Sequence, residues 1–325
     1  MSDPTAGPVG TRIRLATEED LPTCAVIHRV AIDDYLVRAG QPAMAWGAAP
    51  LIALLSHLRA TDPDLFLVAR RDGRVVGFTS AWERGDVWFL AMLFVLPDHQ
   101  GRGVGTALLE AVLPRPGETG PGGRPFGLGV ATDSIQPVSN ALYARYGMIP
   151  RMPAFLLRGP ATRPDAFPPL AAGVVATPFA SMAAGPPDGP GHRRLVEVTA
   201  AIDREVVGYA HPDDHRFLRV TDRRGHLFTN RDGAVLGYGY ARDDGRLGPV
   251  AAVDGEVVPA ILGHLVSSMD PPPEGWTIVV PGGCGSAMTA ALRAGLRIAE
   301  PPTLLCWDRP LADFGRYLPI GNALL

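Results

Sequence analysis

Phe94-Val95-Leu96-Pro97-Asp98-His99-Gln100-Gly101-Arg102-Gly103-Val104-Gly105-Thr106-Ala107-Leu108-Leu109 passes from a bulky apolar run, through a proline stop, into a glycine-rich turn and an amphipathic helix. Val104, Ala107, Leu108, Ala111 and Val112 recur at i, i+3, i+4, i+7 and i+8. That spacing predicts one apolar helical face and puts Gln100 to Thr106 in the turn and first residues of the helix. Backbone N–H groups at such a terminus lack intrahelical acceptors, and the helix dipole adds positive potential. Glycine at 101, 103 and 105 has no Cβ to hold an anion away, so the stretch is a cradle for a pyrophosphate.

Two other phosphate loops are excluded. A P-loop needs a lysine, and all 30 basic residues of this chain are arginine. A dinucleotide fingerprint needs G-x-G-x-x-G after the first strand of a parallel unit, whereas the spacing here is G-x-G-x-G. The surroundings also differ. Arg12 to Leu15 reads as a strand, Thr17-Glu18-Glu19-Asp20 as a helix N-cap with an acidic first turn, and Leu51, Leu54, Leu55 and Leu58 as a second helical stripe. Strand-like runs follow at Leu65 to Ala69, Val75 to Trp82 and Val87 to Leu96, separated by Asp72-Gly73 and Arg84-Gly85-Asp86. An antiparallel meander therefore feeds the glycine turn. Beyond it, Phe126 to Ala131 reads as a fifth strand and Pro137 to Tyr146 as a helix stopped by Gly147.

The pattern that fits is Q/R-x-x-G-x-G/A at Gln100, Gly103 and Gly105, and with it the sequence resembles the GNAT acetyltransferase superfamily. Ser139 to Met148 resembles that family's second signature, a tyrosine-containing helix. The resemblance covers residues 12 to about 157. It implies an α/β fold of the α+β type, a mostly antiparallel central sheet flanked by helices, with a splayed strand pair that receives acetyl-CoA as cosubstrate. The implied contacts are Leu93, Phe94 and Val95 along the pantetheine arm, and Gln100, Gly101, Arg102, Gly103, Val104, Gly105 and Thr106 around the pyrophosphate. Gln136 stands where relatives often place asparagine, and Tyr143 matches the catalytic tyrosine that protonates the leaving thiolate. A free phenol of pKa about 10 donating to a thiolate of about 8.5 works uphill by about 2 kcal/mol, so Tyr143 should assist without being indispensable.

The implied acceptor is an amine of a small molecule or a protein. Presenting an alkyl amine neutral at pH 7 costs roughly 4.6 kcal/mol, so a base matters more than the acid. None stands out: the predicted fourth and fifth strands carry no carboxylate, and Ala131 occupies a place where some relatives hold glutamate. Glu83, Asp86, Asp133 and the Asp33-Asp34 pair flank the region without an assigned role. A non-catalytic acyl-CoA-binding sensor or interaction module is the alternative reading.

The second half repeats the plan. Arg71-Asp-Gly-Arg-Val-Val-Gly77 returns as Arg231-Asp-Gly-Ala-Val-Leu-Gly237, and Ala260 to Leu265 takes the place of Ala107 to Val112. In that register Glu256 and Val258 replace Gly103 and Gly105, and Ala291 replaces Tyr143. The expected organisation is a disordered tail over 1–10, a catalytic domain over 11–157, a proline-stiffened linker over 158–170, and a second, non-catalytic GNAT-like domain over 171–325, which would shape the acceptor cleft or a homodimer contact.

A net charge of −3 gives no electrostatic case for nucleic acid or a membrane surface. Three cysteines without ligand spacing fit a reducing cytoplasm, and no apolar run is long enough to span a bilayer. No metal is expected: His211-Pro-Asp-Asp-His215 reads as a loop between helices, because Pro212 argues against one helix presenting both imidazoles. Cys284, in a glycine-rich loop without a histidine partner, reads as a passive thiol.

Overall fold

A computed structural model describes residues 10–42, 48–186 and 189–325, so residues 1–9 of the expected tail lie outside the described residues. The chain divides into two compact units. One comprises Met1–Val130 and Ile135–Met148, the other Ala131–Ser134 and Ile149–Leu325.

The first unit runs β1 (Thr11–Leu15), α1 (Leu21–Arg38), α2 (Ala48–Thr61), β2 (Phe66–Arg71), β3 (Arg74–Arg84), β4 (Val87–Val95), α3 (Val104–Val112), β5 (Gly127–Asp133, of which 131–133 count with the second unit) and α4 (Pro137–Ala144). Strands β1 to β4 are antiparallel neighbours, and β5 joins β4 in parallel. Asp72 and Gly73 take φ of 50° and 78°, the left-handed pair a tight hairpin demands, so β2 and β3 follow each other directly. Thr17 caps a short 3-10 turn in a reciprocal box with Asp20, and Arg14 clamps the same carboxylate at 2.7 and 2.8 Å. That guanidinium contact holds Asp20 down to about 2 against the opposing effect of burial.

The second unit contains β6 (Ile149–Gly159), β7 (Val175–Pro178), α5 (Phe179–Met182), α6 (Pro190–Val206), α7 (Pro212–Val220), β8 (Arg223–Thr229), β9 (Val235–Arg242), β10 (Leu247–Ala252), α8 (Val258–Ser267), β11 (Trp276–Pro281), α9 (Gly285–Ala294), β12 (Arg297–Ile298), β13 (Thr303–Trp307) and β14 (Tyr317–Leu318). An antiparallel sheet in the order β14-β10-β9-β8-β7 forms its meander, and β6 pairs with β11, β12 and β13. The unit therefore repeats the order of the first: meander, helix, strand, helix.

Two boundaries differ from the sequence reading. The expected break at 157 falls inside β6, whose ladder to β11 and β13 ties residues 149–159 to the second unit. The expected linker 158–170 packs as part of that unit: Phe167 is buried in its core, and the Arg163 amide donates to the Ala294 carbonyl at 3.0 Å. Prolines that looked like linker stiffening instead shape a short 3-10 turn over Pro164–Ala166.

Candidate functional site

Strand β4 sets the first unit's site. Its ladder to β3 matches Ser80 with Met92 and Ala81 with Leu90, which leaves Ala91 as a one-residue bulge. Its parallel ladder to β5 runs from Val87 to Leu90 and stops there. Past the bulge, no strand among the described residues pairs with the outer edge of β4. The Leu96 amide donates to the Val76 carbonyl on β3 at 2.9 Å. Alternation along an antiparallel ladder then turns Phe94 toward β3 and turns the N–H and C=O of Leu93 and Val95 toward the bare edge. Of the three residues expected along a pantetheine arm, Leu93 and Val95 can offer backbone groups and Phe94 cannot.

The Val95 carbonyl already has a partner, since the Gln100 side-chain amide donates to it at 2.8 Å. Gln100 thus ties the glycine turn back to the end of β4. Gly101 and Gly103 take φ of 70° and 80°, a region that side chains resist, and Gly103 is the N-cap of α3 with no side-chain cap. A Cβ at Gly101 would meet nothing within 4 Å, and one at Gly105 only Val95 Cγ2 at 3.9 Å. Arg102 is exposed beside them and makes no ion pair among the described residues. Open space, uncapped N–H groups and one cation fit a pyrophosphate. The helix behind is anchored by Val104, Leu108, Leu109 and Val112; Ala107 is half-buried and Ala111 exposed, so Leu109 takes the place expected for Ala111 in the apolar face.

Tyr143 lies on α4 and is 5% exposed. The helix ends at Ala144, two residues before the expected Tyr146, and Gly147 closes it with φ of 85°. Tyr146 is occupied elsewhere: its hydroxyl donates to Glu110 Oε1 at 2.7 Å. Gln136 is the N-cap position of α4 and its backbone carbonyl accepts from Asn140 Nδ2 at 2.8 Å, so Asn140 serves the helix start.

Most of the flanking acids have structural partners. Asp86 accepts from the Gly122 amide and from Arg124, pinning the loop before β5. Asp33 and Asp34 pair with Arg29 and Arg38 along α1. Strand β5 runs two residues further than expected, so its last residue is a carboxylate after all, Asp133. Burial raises the Glu83 carboxyl, with Glu118 and Asp62 adding repulsion.

His28, which the sequence reading passed over, faces Phe94 from α1 with ring centroids 4.4 Å apart. Burial holds its pKa down to about 4, against a smaller opposite pull from Asp33. Its stabilising contribution is therefore complete above pH 6.5 and is lost as pH falls toward 4, an expected decline of about 3 kcal/mol. Denaturation of wild type and His28→Gln across that window checks this; the variant should show a shallower slope.

In the second unit the corresponding turn is filled. Helix α8 starts at Val258, placing Val257 and Pro259 where Gly103 and Gly105 stand, one residue along from the expected Glu256 and Val258. The Asp254 carboxylate accepts from the Glu256 amide at 3.0 Å, so a built-in anion occupies the turn. Ala291 is fully buried four residues before Gly295, as Tyr143 is before Gly147. Cys284 is buried and its thiol pKa is raised by that burial, which leaves it little thiolate character.

His211 and His215 correct the loop reading. Pro212 occupies the first turn of α7, where a missing N–H costs nothing, so His211 becomes the N-cap and His215 follows on the same face. Their rings stack at 4.7 Å around Asp203, forming a fully buried set whose potential ligand atoms lie within 4.8 Å of one another. Tyr238 donates to Asp203 Oδ1 at 2.8 Å, His215 Nε2 lies 3.0 Å from Oδ2, and Tyr240 contacts His215 Nδ1 at 2.8 Å. Hydrogen bonds from Tyr238 and His215 satisfy the Asp203 carboxylate within the protein, and Asp214 Oδ2 lies 3.6 Å from His211 Nδ1 at the side of the set.

The sequence profile of the Acetyltransferase (GNAT) family matches residues 23–148. No curated protein sequence matches the chain. Among solved structures, a candidate acetyltransferase from Pyrococcus horikoshii is 16% identical, covers 95% of this chain and 93% of its own, and superposes with a TM-score of 0.67. A GCN5-related N-acetyltransferase from Sphaerobacter thermophilus is 15% identical, with coverage of 94% and 98% and a TM-score of 0.58. A tandem GNAT protein of the clavulanic acid biosynthesis pathway is 17% identical, with coverage of 91% and 97% and a TM-score of 0.51. At these identities the likeness is one of fold, and it extends over both units.

Proposed function

Residues 23–148 form an acetyltransferase domain of the GNAT family, and from that premise we propose that the first unit is an acetyl-CoA-dependent N-acetyltransferase acting on an amine of a small molecule or protein. The observation that carries this reading is the pairing, within one unit, of an open glycine turn at a helix N-terminus with the bare edge of β4 past Ala91. Amides of residues 101 to 106 hold the pyrophosphate, with Arg102 adding charge. Leu93 and Val95 offer backbone groups to the pantetheine arm, and an amide on that edge stabilises the oxyanion as the amine attacks the thioester. Tyr143 protonates the departing thiolate, and Gln136 supplies amide hydrogen bonds beside the tyrosine helix.

Release of free CoA across a panel of amines tests the activity, and absence of turnover with every acceptor despite tight CoA binding would count against it. Tyr143→Phe is expected to lower kcat about 10- to 100-fold with little change in KM for acetyl-CoA, a loss at the low end of general-acid effects. The engagement of Asp33, Asp34 and Asp86 in ion pairs favours a second reading, an acyl-CoA sensor without turnover. Under it, Tyr143→Phe changes no measured property.

A further inference from the structure

Charge is unevenly distributed in the second unit. A cleft of about 1040 Å³ there is lined by Arg193, Arg216, Arg219, Arg223 and Arg224 against a single acid, Glu197, in a chain whose net charge is −3. Arg216 and Arg224 are neutralised by Asp213 and Asp243 at 3.2 and 3.0 Å. Arg219 and Arg223 have no carboxylate within ion-pair distance among the described residues; Arg223 donates only to the Gly248 carbonyl. Arg219 hydrogen-bonds the Tyr240 hydroxyl, while its Nη1 is shut off from solvent without a partner of its own. Both guanidiniums line this one cleft, four residues apart at the end of α7 and the start of β8. Burial, with Arg246 and Arg242 nearby, holds Arg223 itself down to about 9, against a smaller opposite pull from Asp244.

The rest of the wall is apolar. Phe179 packs edge-on against Tyr240 at 5.2 Å, and Val220 stands 74% exposed at the cleft, where an apolar group could cover it. Two guanidiniums on one cleft wall, neither in a salt bridge among the described residues, match a dianion better than a single carboxylate, and guanidinium forks suit phosphoryl oxygens.

We propose that this cleft is a binding site for a phosphoryl-bearing organic anion, with Arg219 and Arg223 holding the phosphoryl group and Phe179 and Val220 receiving an apolar body. The residues lining the cleft all belong to the second unit, and its occupancy needs no acetyl transfer. It gives a function to the unit that lacks a free cofactor cradle.

Phenyl phosphate is the probe, titrated against the full chain at fixed ionic strength by calorimetry and thermal shift, with benzoate and sodium chloride as parallel arms. Saturable binding is expected, at least tenfold tighter for phenyl phosphate than for benzoate. It should be retained in Gly105→Val and weakened at least tenfold in Arg219→Gln. Hydrogen exchange of the wild type supplies a readout that needs no variant: α7 and the start of β8 should gain protection on phenyl phosphate binding. Equal affinity for benzoate, a response matched by chloride, or loss of binding in Gly105→Val with Arg219→Gln unaffected would each overturn the assignment.

Discussion

Acetyl-CoA at about a hundred times its dissociation constant should stabilise the native protein by roughly 2.7 kcal/mol, and Gly105→Val should remove that gain. For a unit of about 150 residues the gain corresponds to a rise in melting temperature of roughly 5–10 °C. The choice of Gly105 follows from local geometry. Valine at Gly103 would have to adopt φ of 80°, so a lost response there could reflect backbone strain. Gly105 lies inside α3, outside the left-handed region, and its nearest neighbour to a new Cβ is Val95 Cγ2 at an ordinary 3.9 Å. Valine also has a higher helix propensity than glycine, so the variant should fold at least as well in the absence of cofactor. What it loses is access to the first-turn amides. Scanning calorimetry with and without acetyl-CoA reads both quantities, and an undiminished shift in the variant would place the cofactor elsewhere.

Asp203→Ala should destabilise the second unit by about 3–5 kcal/mol, the range found when one partner of a buried charged network is deleted. Asp203 is fully buried and accepts from Tyr238 while facing both His211 and His215. Burial alone would raise its pKa, but the two histidines prevail and hold it well below the ordinary carboxylate range. Alanine would leave the Tyr238 hydroxyl and two imidazoles facing a void. Asp203→Asn keeps the shape and part of the bonding, so its cost should be distinctly smaller. Urea denaturation distinguishes the two, and a loss below 1 kcal/mol for alanine would mean the network contributes little. Acid should act in the same direction. Burial lowers the folded-state pKa of His215, so its contribution is complete above pH 6.5 and declines below it; that of Asp203 declines only below the ordinary carboxylate pKa of about 3.9.

The glycine turn and the tyrosine helix were legible in sequence because their information is local. Glycine spacing, a proline stop and a 3.6-residue apolar period are properties of neighbouring residues, and they located α3, α4 and the hairpin at Asp72-Gly73 within a few residues. The bulge at Ala91 had no such signature: it arises from how β3 and β4 align, and the same nine residues could equally form an unbroken ladder. The division of labour among Leu93, Phe94 and Val95 follows from that alignment. The reading of His211 and His215 failed for a related reason. Proline was weighed as a helix breaker, whereas at the first turn it starts a helix and brings the two rings onto one face.

By itself the sequence determined the local pattern: an open glycine turn at Gly101, Gly103 and Gly105, a second half that repeats the plan without those glycines, and a match of residues 23–148 to the GNAT family profile. Only the tertiary structure decided which backbone groups face the open edge of β4, that β6 packs with the second unit, and that Arg219 and Arg223 line one cleft. Helix periods and turn chemistry are set within a few residues, whereas strand register and the meeting of charges distant in sequence are set by packing.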